Sequence, residues 1–143
     1  MTRQSDVLID YVTMEQSRKY PCPCCGYLVF RMPPGYHEHC PICGWEDELS
    51  QLRFVEMTGI SNHVTLVKAQ KNFIEYGAAE RRKIATSRPP VPGEVRDKDW
   101  RPIDPARDNI EIPRAGEDYA VSYPQDTTVL YYWRTTFWHR YAS

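Results

Sequence analysis

Two copies of one five-residue template constrain this chain more than any other feature. Residues 22–26 read Cys-Pro-Cys-Cys-Gly and residues 40–44 read Cys-Pro-Ile-Cys-Gly. Both fit Cys-Pro-x-Cys-Gly, with Cys24 as the x of the first copy. Two thiolates three residues apart reach one tetrahedral ion when the chain turns tightly between them. Proline fixes φ at the start of such a turn, and glycine after the second cysteine permits a positive φ. Two matched turns supply four sulfurs, so Cys22, Cys25, Cys40 and Cys43 read as a closed structural site for one Zn²⁺ per chain.

Cysteine arithmetic agrees. All five cysteines lie between residues 22 and 43. An odd number, in a chain whose Met1–Asp10 stretch has no basic start followed by an apolar run, argues against a disulfide framework and for the cytoplasm. Cys24 is left over from the ligand set. It reads as a small buried filler, a weak S–H donor or a reactive thiol. His37 and His39, just before the second turn, are alternative ligands or neighbours of the site.

The 143 residues fit one domain, 1–143. Hydrophobic residues make up 41% of it, yet there are 12 prolines and the mean hydropathy is −0.62, which points to a modest core with long irregular segments. No apolar run approaches the roughly 20 residues of a membrane span. Formal charge is −1, or about −3 with four thiolates on a divalent ion. Residues 44–62 and 94–118 each carry a net charge of −3, and residues 68–88 carry +4. One basic segment between two acidic ones is unlike the dominant basic face of a nucleic-acid binder.

Local patterns place elements on this frame. Gln4 to Gln16 carries Val7, Leu8, Tyr11 and Val12 at helical spacing, although a strand fits too. Between the cysteine pairs, Tyr27–Arg31 reads as a strand and Pro33-Pro34-Gly35 as a turn, together a short hairpin. The clearest helix is Leu66–Tyr76, with Thr65 as N-cap and Gly77 as C′. Leu66, Val67, Gln70, Phe73 and Ile74 form its inner stripe, and Lys68, Lys71, Asn72 and Glu75 face out. A short basic helical turn fits 78–85. From Arg88 to Pro113 a proline-rich coil wraps on the anchors Trp100, Ile103, Ile110 and Ile112, or else is disordered. At the C-terminus, Val129–Trp133 and Thr136–Tyr141 concentrate aromatic residues and favour strand, with a helix from Asp126 as the alternative. The expected class is α+β: a small zinc-ribbon-like hairpin, a packed helix, and a long irregular C-terminal segment (91–143) ending in an aromatic strand.

The motif from Tyr20 to Tyr27, then Cys40-Pro41-Ile42-Cys43 with Trp45-Glu46-Asp47, Gly59–Asn62, and Leu66 through Asn72-Phe73 to Gly77-Ala78 resembles the bacterial cysteine-rich CPCC domain family. The resemblance covers roughly residues 19–90 and includes the position of Cys24. It implies a small zinc-binding protein without an assigned reaction. By analogy with small proteins found beside bacterial polymorphic toxins, it also implies an immunity protein.

Three function classes follow. The first is a zinc-stabilised binding protein, not an enzyme, that occludes a cognate toxin. Its partner surface would comprise Trp45, Glu46, Asp47 and Glu48 with Tyr131, Trp133, Arg134 and Trp138, since acidic rims speed association and aromatic residues with Arg dominate hot spots. The second is a nucleic-acid-binding zinc ribbon using Lys68–Arg88. The third is a thiol enzyme pairing Cys24 with His37 or His39, or a Cys24–Cys25 redox pair. The chain contains no Gly-rich phosphate loop, HExxH or GxSxG motif.

Overall fold

Each Cys-Pro-x-Cys-Gly turn closes on itself through the same two hydrogen bonds. In the computed structural model, which describes residues 20–116, 119 and 122–138, the Gly26 amide donates to the Cys22 carbonyl at 2.6 Å and the Cys22 amide to the Tyr27 carbonyl at 2.9 Å. In the second turn, Gly44 donates to Cys40 and Cys40 to Trp45, both at 2.9 Å. Gly26 and Gly44 sit at φ +82° and +81°, the left-handed region that closes the turn. β1 (Tyr20–Pro21) and β2 (Leu28–Phe30) flank the first turn as an antiparallel pair. A single bridge, His39 to Glu46, flanks the second. The hairpin therefore differs from the one expected within residues 27–39. Its strand is there, but its partner precedes Cys22, because the first Cys-Pro-x-Cys-Gly turn itself serves as the reversal.

After the second turn come α1 (Leu49–Arg53) and then α2 (Leu66–Tyr76). α2 has the predicted ends. The Thr65 hydroxyl accepts the Lys68 amide at 3.0 Å, and Gly77, at φ +81°, donates to the Phe73 carbonyl. Its inner face is rotated from the expected stripe. Asn72 is buried and Ile74 is 68% exposed. Beyond Gly77 the chain folds back over the Asn72 side, burying Ala78 and Ala79, and the Asn72 Nδ2 donates to the Ala79 carbonyl at 2.9 Å. The basic turn expected at 78–85 is a 3-10 helix, Arg81–Thr86.

The proline-rich segment has no regular element between residues 91 and 116, yet it is tied down along its length. The Leu28 amide donates to the Val95 carbonyl, the Asp97 amide to the Gly26 carbonyl, and the Ile103 amide to Gln70 Oε1. Arg88–Glu94 and Arg101–Asp108 ion pairs brace it. Trp100, Ile103 and Ile110 pack on the core. Ile112 does not; it is 67% exposed.

The expected aromatic strand is absent from the described part of the tail. Thr127–Leu130 is a 3-10 helix, capped by the Asp126 carboxylate on the Thr128 amide, and turns follow to Thr136. Four consecutive residues, Leu130, Tyr131, Tyr132 and Trp133, are all buried. Strand side chains alternate between two faces, so a surface strand could not bury all four; turns can aim successive rings into one core. Trp133 lies 4.9 Å, centroid to centroid, from both Tyr131 and Tyr132. The helix expected over Gln4–Gln16 and the aromatic residue Tyr141 lie outside the described residues.

Candidate metal centre

The two turns face each other and bring four sulfurs to one point. Cys22 Sγ lies 3.6 Å from Cys43 Sγ, and Cys25 Sγ lies 3.7 Å from Cys40 Sγ. All four sulfurs fall within 4.8 Å of one another and all four residues are buried. A tetrahedral Zn–S bond of 2.3 Å implies sulfur separations of about 3.8 Å, so the set fits one such ion. Among the described residues it is the one cluster able to hold a metal, and it includes neither histidine.

The surroundings suit a centre that carries negative charge. Arg96 Nε donates to the Cys25 carbonyl at 2.9 Å. Lys83 Nζ donates to the Gly44 carbonyl at 2.7 Å. One cation thus rests on the backbone of each turn, where it offsets the −2 of four thiolates around a divalent ion. Burial pushes the Cys22 and Cys43 thiols well above their ordinary range in the bare protein. A bound cation reverses that preference by stabilising thiolates directly.

Trp45 is 1% exposed and packs in the core formed around the cysteines. The Pro23 carbonyl, inside the first turn, accepts hydrogen bonds from Gln70 Nε2 at 2.9 Å and Trp100 Nε1 at 3.0 Å. α2 and the wrapping coil are therefore both fastened to the metal-binding turn.

The sequence that builds this site matches a known family over residues 20–94, under the description cysteine-rich CPCC. The chain belongs to the cysteine-rich CPCC family. No curated protein and no solved structure matches it. The CPCC match ends at Glu94, whereas the fold around its cysteines continues to Trp133 and beyond.

Cys24, the third cysteine of the CPCC motif, is fully buried, and burial raises its thiol above the ordinary range. It packs within the core cluster. The Cys24–histidine pair considered from the sequence does not form. His37 Nδ1 and His39 Nε2 instead lie 3.3 and 3.0 Å from opposite oxygens of Glu46, with both histidine side chains about two-thirds exposed.

The residues expected to form a partner surface divide sharply. Trp45, Asp47, Glu48, Tyr131 and Trp133 are buried, so they cannot make an outer face. The acids turned inward because they satisfy backbone amides of neighbouring loops: Asp47 Oδ2 accepts Gly35 and Tyr36 N–H at 2.8 and 3.0 Å. Arg134 pairs with buried Asp97. Glu46, Arg134 and Trp138 keep partial access.

Sequence reasoning missed Arg53. In the sequence it is one cation within the acidic segment 44–62. Its side chain is 1% exposed and pairs with both oxygens of Glu111, at 2.7 and 2.8 Å. The rings of Phe54, Tyr119, Tyr123 and Trp138 surround its guanidinium at 4.8–5.0 Å. No local signal marks it, because three of those rings lie more than 60 residues away in sequence.

Proposed function

We propose that the metal is structural Zn²⁺, one per chain, and that the protein acts by binding. In this reading it neutralises a cognate bacterial toxin by occluding it. The observation carrying the proposal is the enclosure of the sulfur set: four ligands complete a tetrahedron, leave no coordination position for substrate, and are at most 3% exposed. Such a centre supports a fold and leaves the activity to the surface. The acidic segments 44–62 and 94–118 favour a cationic partner surface. Metal analysis of the purified protein should find about one zinc per chain, and a stable metal-free protein overturns the zinc assignment. Co-expression with the toxin encoded immediately upstream should restore growth. Absence of both binding and rescue removes the immunity reading.

A second reading rests on the basic face of α2 and the following 3-10 helix. Lys68 and Lys71 are exposed there, and Arg81 stacks on Tyr76 at 4.8 Å. Such a face can contact single-stranded nucleic acid. Its charge is partly neutralised by Glu75 and Glu80, which is why this reading stands second. Binding to a single-stranded oligonucleotide that weakens steeply with salt would support it.

A further inference from the structure

Three buried polar side chains converge on a loop, 57–63, that displays an apolar residue to solvent. Glu48, 7% exposed, accepts the Ile60 amide at 3.1 Å and the Ser61 amide at 2.5 Å. Gln51, fully buried, donates to the carbonyls of Met57 and Val64, both at 2.9 Å. Asn62, also fully buried, donates to the Glu46 carbonyl at 2.7 Å and to Gln51 Oε1 at 3.0 Å. The Gly59 amide donates to the Asn62 carbonyl, and Arg82 donates to the Ser61 carbonyl at 2.6 Å. Space is as tight as the bonding. A Cβ at Gly59 would lie 2.0 Å from Glu48 Oε2 and 2.3 Å from Gln51 Oε1.

At the apex stands Ile60, 94% exposed, more than any other large hydrophobic residue described. A lone exposed isoleucine is ordinary. An isoleucine held on a backbone fixed by a buried carboxylate and two buried amides is different, because buried polar groups that are fully satisfied rigidify what they hold. A fixed loop bearing a β-branched side chain loses little entropy on docking. Beside it lies an open depression of about 670 Å³, lined by His37, Glu46, Leu49, Met57 and Ser61. The nearby charge is acidic on balance: Glu46 keeps partial access beside His37 and His39, Glu56 is exposed, Glu48 makes no ion pair among the described residues, and Arg82, which reaches the loop at Ser61, is paired with Glu80. The complementary surface is an apolar pocket with a rim of Lys and Arg.

We infer that loop 57–63 is a preorganised docking element whose Ile60 enters an apolar, cation-rimmed pocket on a partner protein, with Glu48 as the positioning residue. The inference rests on the binding reading above and assigns its contact point. The probe is the purified product of the gene adjoining this chain's own, titrated calorimetrically at low and at physiological salt. Ile60→Asp should weaken Kd at least about thirtyfold with Tm unchanged. Glu48→Gln should speed amide hydrogen exchange at Ile60 and Ser61 and weaken the complex through a faster off-rate. A complex whose Kd stays within about threefold in Ile60→Asp overturns the docking assignment and leaves the binding reading standing. Absence of any complex overturns both. Unprotected Ile60 and Ser61 amides in the wild-type protein overturn the preorganised loop without reference to a partner. Self-association in sedimentation, abolished by Ile60→Asp, assigns the loop to a second copy of this chain and overturns the cation-rimmed partner.

Discussion

Single residues at the metal-binding turns hold positions that tolerate little change. At Gly26 an added Cβ would lie 2.6 Å from the Trp100 ring, at φ +82°. At Gly77 the φ is nearly the same, +81°, but nothing lies within 4 Å. Alanine at Gly77 should therefore cost only the left-handed backbone, about 1 kcal/mol. Alanine at Gly26 adds overpacking against a ring and should cost about 2–4 kcal/mol in total. Urea denaturation of the two variants checks the order, and equal losses would contradict the packing argument. Gln70 offers a polar counterpart. It donates to the Pro23 carbonyl and to Tyr132 Oη and accepts the Ile103 amide. Gln70→Leu keeps the volume but strands a buried amide. It should destabilise by about 2–3 kcal/mol, read as a lower urea midpoint with unchanged metal content.

Elements divide by how locally they are determined. The ends of α2 were legible because Thr65 and Gly77 act on the nearest turn, within three or four residues. The inner face departs from the hydrophobic pattern at Asn72 and Ile74 because the covering layer is the returning chain at Ala78–Ala79, a tertiary event that outweighs hydrophobicity. Ile74 stays out because no element lies over it, and Asn72 goes in because the Ala79 carbonyl needs a donor. The tail departs from strand for a related reason. Residues rich in β propensity bury four consecutive side chains, Leu130 to Trp133, in one core, which turns allow and an alternating strand does not. The wrapping coil is held by charge as well as by rings. Arg101 beside Asp108 holds that carboxyl below the usual carboxylate range, as Arg88 does for Glu94. A carboxylate depressed in the folded state adds stability above its unfolded pKa, about 4. It loses that contribution as pH falls through the folded value. Stability should drop between about pH 5 and pH 3, and Asp108→Asn should flatten part of the drop. An identical pH profile in the variant would show that this pair contributes nothing.

The molecule as a whole is built inward onto its sulfurs. Its four ligands were legible because a spacing of three residues is a local property and the second pair repeats the first. The placement of Asp47, Glu48 and Arg53 was not legible, because their partners at 35–36, 60–61 and 111 become neighbours only in the finished fold. The C-terminal rings, beyond the family's residues, complete the same core. A chain ending at Glu94 should consequently lose cooperative melting while still taking up metal, whereas a full-length protein stripped by a chelator should unfold throughout, lowering protection in 95–133 as well as at the turns. Hydrogen exchange with mass spectrometry reads both. The division of the ligands into two separate turns also sets an order of events. Each half closes through its own amide hydrogen bonds, so either half is expected to take an ion alone as a two-toothed claw. The other half then arrives across a span of only 15 residues between Cys25 and Cys40. Its local concentration is on the order of millimolar. Loading is therefore expected to be a capture followed by a clasp, and release to run the other way, one turn letting go before the other. Metal should leave in two stages, with a half-bound state that re-closes faster than it dissociates.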